Sequence, residues 1–201
     1  MPEILFTTAF TLWGGPTSWI EIVAVVIALA MVGCNIREIH WGWPLAIVSS
    51  LLYCAVFWRT RLYGDAALQI FFVVVAGWGW FQWLRGVRGD GSALRVARLS
   101  RRGQALTVLA CALLWPAAGY FLDRYTDTDV PWWDAFPTAV SVVGQFLLGR
   151  KYIENWAAWI AVNVVSVTLF AYKGLWLTVG LYAVFIVLSF VGWRAWRKQL
   201  A

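Results

Sequence analysis

The stretch Arg85-Gly86-Val87-Arg88-Gly89-Asp90-Gly91-Ser92-Ala93-Leu94-Arg95-Val96-Ala97-Arg98-Leu99-Ser100-Arg101-Arg102 decides how this chain is arranged. It holds six arginines and one aspartate between two apolar runs. The whole chain of 201 residues is 62% hydrophobic and only 13% charged, which is not the composition of a soluble domain. Apolar runs of roughly 20 residues, enough to cross a bilayer as helices, recur on both sides of the stretch. The arginines therefore read as a cytoplasmic loop of a polytopic membrane protein, because Lys and Arg accumulate on that face.

Working outward, spans are expected at 18–36, 42–58 and 65–84 before the loop. Four more follow it, at 104–122, 133–149, 156–172 and 175–194. The breaks fall at charged or Gly/Pro-bearing stretches such as Arg37–Trp41, Arg59–Gly64 and Asp123–Pro131. With the N-terminus outside, 12 of the 16 Lys and Arg fall on the inner side. Only Arg59, Arg61, Arg124 and Lys173 fall outside. An odd number of spans, N-terminus out and C-terminus in, satisfies every loop. The formal charge of +6 is then explained by positive-inside loops and calls for no nucleic acid. No Lys or Arg precedes Arg37, so no signal-peptide n-region is expected and the first span stays as a membrane helix. Ten of the 16 tryptophans sit near span ends: Trp41, Trp43, Trp58, Trp78, Trp80, Trp83, Trp132, Trp133, Trp193 and Trp196. The expectation for these is an aromatic belt at the membrane surfaces.

A shift of 113 residues lays 43–83 on 156–196 without gaps, giving 10 identities in 41 positions. The weightiest is Gly79-Trp80-x-x-Trp83 on Gly192-Trp193-x-x-Trp196. Span two then matches span six and span three matches span seven, running in the same direction. The fold expected is an all-α integral membrane protein with seven transmembrane helices in a 3+1+3 parallel repeat. Residues 18–84 form the first three-helix bundle, 104–122 the linker helix and 133–194 the second bundle. Parallel repeats of this kind occur in transporters that hold substrate between their halves.

Polar side chains within spans are costly and usually face a bundle interior. Asp65, Gln69 and Phe72 share one face of span three at i, i+4, i+7; Trp156, Trp159 and Asn163 share one of span six at i, i+3, i+7. Span five adds Gln145, span one Asn35, and span two Ser50 and Tyr53. An indole plate beside an amide suits a flat, polar heteroaromatic ring: the indole stacks and the amide reads the ring's edge. A cationic ring would gain further from the indole face. Gln69 and Gln145 could bind sugar hydroxyls, and Asp65 a hydroxyl or a positive charge. The alternative for each is hydrogen bonding between helices with no ligand, or, for Asp65, capping of its helix.

Other chemistry is missing. Cys34, Cys54 and Cys111 have no metal-ligand spacing, and His40 is the only histidine, so neither a metal nor a cofactor is expected. Gly77-Trp78-Gly79-Trp80 lacks the Lys-Ser/Thr of a phosphate loop. Lys151, Lys173 and Lys198 all sit at span ends, which excludes a retinal Schiff base. The spans hold almost no titratable groups beyond Asp65 and Glu21, so an enzyme is not expected.

Several runs resemble the PnuC family of vitamin transporters. They are Leu62-Tyr63-Gly64-Asp65-Ala66-Ala67-Leu68-Gln69 with Phe71-Phe72, then Gly79-Trp80 and Trp83; Gln145-Phe146-Leu147, Arg150-Lys151 and Glu154-Asn155-Trp156; and Trp159-Ile160-Ala161-Val162-Asn163. Tyr172-Lys173-Gly174-Leu175 and Gly192-Trp193-Arg194 extend the match, which covers about residues 20–198. The resemblance implies a SWEET-like fold and uptake by facilitated diffusion in a bacterial inner membrane. It also implies a homotrimer and trapping of the cargo by a cytoplasmic kinase. Trp159-x-x-x-Asn163 resembles the nicotinamide riboside class; relatives carry thiamine or riboflavin. The site residues carried over are Asp65, Gln69, Gln145, Trp156, Trp159 and Asn163. Gly77-Trp78-Gly79-Trp80 departs from the family pattern, in which a tyrosine precedes the Gly-Trp. A competing reading is a vitamin-binding membrane subunit of an ATP-driven importer, with Ala24-x-x-x-Ala28 as a small-residue docking face.

Overall fold

The computed structural model describes residues 7–12, 15–59, 63–89, 91–126, 128–174 and 176–200. Seven helices are formed among them: α1 Trp19–Ile36, α2 Gly42–Arg59, α3 Tyr63–Arg85, α4 Arg101–Tyr125, α5 Pro131–Gly149, α6 Asn155–Tyr172 and α7 Trp176–Arg197. Each lies within three residues of a span read from the sequence. Local chemistry sets several ends. The Ser100 side chain accepts from Gly103 N at 3.1 Å and caps α4, and Pro131 opens α5, where a missing N–H costs nothing. Gly174, at φ +72°, ends the turn after α6 in the left-handed region that glycine adopts freely.

Of these helices, α4, α6 and the Thr178–Arg197 part of α7 are long and apolar enough to cross a membrane; the apolar segments Ile22–Ile36 and Gly42–Ala55 are shorter. The seven-helix body is all-helical, as the sequence suggested, and a short hairpin precedes it. Strands β1 (Thr8–Leu12) and β2 (Gly15–Ser18) pair antiparallel ahead of α1, with Leu12 opposite Gly15 and an irregularity between Thr8 and Phe10.

The packing order explains where a site can be. Helix α1 packs on α2, α2 on α3, α3 on α5, α5 on α6, α6 on α7, and α7 back on α1. Six helices thus form a ring, and α4 lies outside it against α5. Gly119 is the buried residue of α4, and the Trp132 ring closes over it.

Contacts recur at the 113-residue offset. The Trp43 indole lies directly on Gly79, and the Trp156 indole on Gly192, leaving no room for a Cβ at either glycine. Trp43 meets Trp83 edge to face at 5.6 Å, and Trp156 meets Trp196 edge to face at 5.5 Å. Trp83 Nε1 donates to Leu148 O at 3.0 Å, and Trp196 Nε1 to Asn35 O at 3.1 Å. These two carbonyls belong to the last turns of α5 and α1, and each also accepts the backbone N–H three residues on, Lys151 N at 3.0 Å and Glu38 N at 3.2 Å. The indole bonds therefore cross between α3 and α5 and between α7 and α1. Two residues past those helix ends stand Glu38 (φ +54°) and Lys151 (φ +55°), again 113 apart. They form an ion pair with each other at 2.8 Å, and Lys151 Nζ lies 4.8 Å from the centre of the Trp83 ring.

This corrects the aromatic-belt reading for part of the set. Trp43 and Trp196, only 1% and 0% exposed, are core residues, and Trp83, Trp80 and Trp193 pack against the same cluster. Small glycines let these indoles approach the facing helix, and packing there outweighs a place in the interface. Trp41, Trp58, Trp132 and Trp133 do remain exposed.

The arginine-rich loop is anchored, not loose. Ala97 N donates to Lys151 O at 3.0 Å, and Ile153 N to Ala97 O at 2.9 Å. Leu99 N donates to the Glu154 carboxylate at 3.2 Å, and Arg150 Nη1 to Gln82 Oε1 at 2.8 Å. Arg85, Arg95, Arg98, Arg101 and Arg102 stay exposed, as a loop outside the membrane requires.

Candidate functional site

A cavity of about 280 Å³ lies inside the helix ring. Its size is near the lower end of cavities that enclose small ligands. Gln69 and Phe72 reach it from α3, Gln145 from α5, and Trp156, Trp159 and Asn163 from α6. Six of the seven residues read as a site from the sequence are thus gathered on one chamber. The seventh, Asp65, falls in the first turn of α3, which begins at Tyr63. Its side chain lies outside what the structure describes.

Asn35, Ser50 and Tyr53, read from the sequence as intramembrane polar groups, also line the chamber. Sequence reasoning missed Ser49, the neighbour of Ser50, and Ser141, Tyr182 and Ser189, each a single polar residue in an apolar run. A usable signal existed for Tyr182, because the 113-residue shift places it on Gln69.

Trp43 and Trp156 line the chamber on the side of the cluster with Trp83 and Trp196. Both of their Nε1 donors are buried without a partner. Trp156 is only 2% exposed, whereas Trp159 is partly open to the cavity. The plate available for stacking is therefore chiefly Trp159, with Trp156 at its foot. Trp159 lies along α5 at Gly144, where a Cβ would sit 3.5 Å from its Cε2.

Asn163 is held in place. Its Nδ2 donates to Ser189 Oγ at 3.3 Å, and Ser189 Oγ donates to Phe185 O at 2.7 Å. That bond uses one donor of the amide, which carries a second donor and an acceptor oxygen. The lining so described combines indole and phenyl faces with amides and hydroxyls. It contains no carboxylate among the described residues, and no cluster of His, Cys, Asp or Glu there could hold a metal ion. Such a set can stack a flat ring and hydrogen-bond its substituents.

A ring of apolar helices around one amide- and indole-lined chamber is the build of a small-molecule membrane transporter. The chain belongs to the nicotinamide mononucleotide transporter family, whose family model matches residues 18–198. It is 26% identical to the nicotinamide riboside transporter PnuC of Escherichia coli, across 91% of this chain and 87% of that protein. It is 28% identical to the riboflavin/roseoflavin transporter RibM of Streptomyces davaonensis, across 96% of this chain and 91% of that protein. Among solved structures, the crystal structure of the vitamin B3 transporter PnuC shares the fold with a TM-score of 0.74, at 24% identity over 90% of this chain and 82% of that one. The family expected from the motifs is the family shown.

Proposed function

We propose that this transporter takes up nicotinamide riboside by facilitated diffusion, binding it in the chamber between the two halves of the helix ring. The observation that carries the reading is the convergence of Trp159, Asn163, Gln69 and Gln145 on one cavity. The pyridinium stacks on Trp159, where a cationic ring gains most from an indole face. Asn163 reads the carboxamide, and the two glutamines bind the ribose hydroxyls. Asp65 contributes a hydrogen bond or a counter-charge.

The paired contacts at the 113-residue offset support a SWEET-like 3+1+3 repeat, with α1–α3 and α5–α7 as the halves and α4 as the linker. The halves rock about the chamber to expose it to each side in turn. The arginine distribution supports an N-terminus outside and a C-terminus in the cytoplasm of a bacterial inner membrane. On the arginine-bearing side, the four-tryptophan cluster and the Glu38–Lys151 pair stand between the chamber and solvent. The resemblance favours a homotrimer, and a cytoplasmic kinase that phosphorylates the vitamin and so traps it.

Riboflavin is the second reading, favoured by the 28% identity to RibM over nearly the whole chain and by a lining that holds no charged group among the described residues. Calorimetric titration of purified protein with nicotinamide riboside, thiamine and riboflavin decides the cargo. Binding of the riboside, weakened in Asn163→Leu, is expected. Binding of riboflavin or thiamine alone would keep the transport role and reassign the substrate. Uptake into liposomes holding only this protein, without ATP, would rule out the importer-subunit reading.

A further inference from the structure

The chamber is built from residues that occupy matching places in the two halves. Phe72 and Phe185 both line it and are 113 residues apart; so are Ser50 and Asn163, and so are Ala46 and Trp159. The first pair matches phenyl with phenyl, and the second matches two short polar groups. The third pair is badly mismatched, a methyl group against an indole. In a chamber with quasi-twofold symmetry, that mismatch leaves about one indole's volume open opposite the Trp159 plate. On α2 the nearest large side chain in the lining, Trp43, is pinned on Gly79 and 1% exposed. Trp159 lies along α5 at Gly144, where a Cβ would sit in ordinary contact with its ring.

We infer that Ala46 sets specificity: its small side chain forms the wall facing Trp159 and fixes how large an aromatic ring system the chamber accepts. The inference rests on the ring-stacking reading of the site given above. A ring between the two walls has the indole on one face and only a methyl group on the other. Each carbon added at position 46 narrows that slot, and closely packed interiors resist such additions.

The test is a series, Ala46→Gly, Ala46→Ser, Ala46→Val and Ala46→Leu, titrated calorimetrically with nicotinamide riboside (one ring) and riboflavin (three fused rings). Thermal unfolding of each variant establishes that it is folded. Affinity for whichever ligand the wild-type protein binds is expected to fall as the side chain grows, by roughly ten- to a hundredfold at leucine. Where both bind, the three-ring ligand is lost first. Should Ala46→Leu fail to fold, the glycine, serine and valine steps carry the same comparison. Wild-type binding with affinities unchanged along the series would overturn the role of Ala46 alone. Binding of neither vitamin by the wild-type protein would overturn the vitamin reading and this inference with it.

Discussion

Exchanging the charges of Glu38 and Lys151 should leave the protein nearly intact, although changing either one alone should not. The pair is 2.8 Å apart, with side chains only 16% and 13% exposed. At an effective dielectric of about 20, the bare attraction at that distance is about 6 kcal/mol, most of which desolvation cancels. Removing one partner from a fully buried pair costs about 3–5 kcal/mol, while exposed pairs contribute about 0–1 kcal/mol. This pair lies between those limits, so Glu38→Gln should cost about 2 kcal/mol. Lys151→Met should cost about 0.5–1 kcal/mol more, because it also removes the ammonium from the Trp83 ring. The combined variant Glu38→Lys/Lys151→Glu rebuilds the ion pair. By the 113-residue correspondence it also sets the new ammonium over Trp196, the counterpart of Trp83. Thermal unfolding in detergent reads all of these. Glu38→Gln should melt about 4–8 °C lower and Lys151→Met about 5–12 °C lower, at about 2–4 °C per kcal/mol for a chain of this length. The exchanged variant should recover most of that loss. If it melts no higher than the worse single variant, the quasi-twofold geometry around the pair is wrong.

Gly79→Ala and Gly192→Ala should each destabilise by about 1–3 kcal/mol, since a methyl group would enter the Trp43 or Trp156 ring. Adding Trp43→Phe to the first or Trp156→Phe to the second should relieve the clash, and unfolding scans showing no loss in the alanine variants would contradict the close approach. Asn163→Leu should weaken vitamin binding about 5- to 150-fold by removing hydrogen bonds worth roughly 1–3 kcal/mol, while leaving the protein folded; unchanged calorimetric affinity removes Asn163 from the site. Trp159→Ala should weaken binding far more than Trp176→Ala, whose indole is exposed outside the chamber, and equal effects would count against stacking. In a protein free of Cys34, Cys54 and Cys111, a membrane-impermeant thiol reagent added outside intact cells should fail to label Arg95→Cys; ready labelling would reverse the proposed orientation.

The helices were legible because each is an apolar run ended by charge, glycine or proline, and the 113-residue correspondence because Gly-Trp-x-x-Trp stands at both places. The Glu38–Lys151 pair was not legible. Its members are chemically unlike, and their likeness lies in backbone conformation, which identity counting does not see. The tryptophans misled for a related reason. A residue at a span end can face lipid headgroups or the neighbouring helix, and Trp43 and Trp41 differ in that respect although they are two positions apart. The choice is made by Gly79, 36 residues on, which supplies the flat surface for the ring. Of the chamber, the amides and Trp159 could be read because such groups are rare in spans. Ser49, Ser141 and Ser189 could not, since a hydroxyl in a helix can return its bond to its own backbone, as Ser189 does to Phe185 O.

The ion pair between equivalent positions also bears on how such a molecule could be assembled. Two identical three-helix pieces meeting face to face would bring the same residue to both places, glutamate on glutamate or lysine on lysine, and repel. An acid meeting a base there needs two pieces whose sequences have diverged, and α4 ties them into one polypeptide. Neither piece is then fit to associate with a copy of itself. Expressed separately, the halves should seek each other and not form paired duplicates of either one.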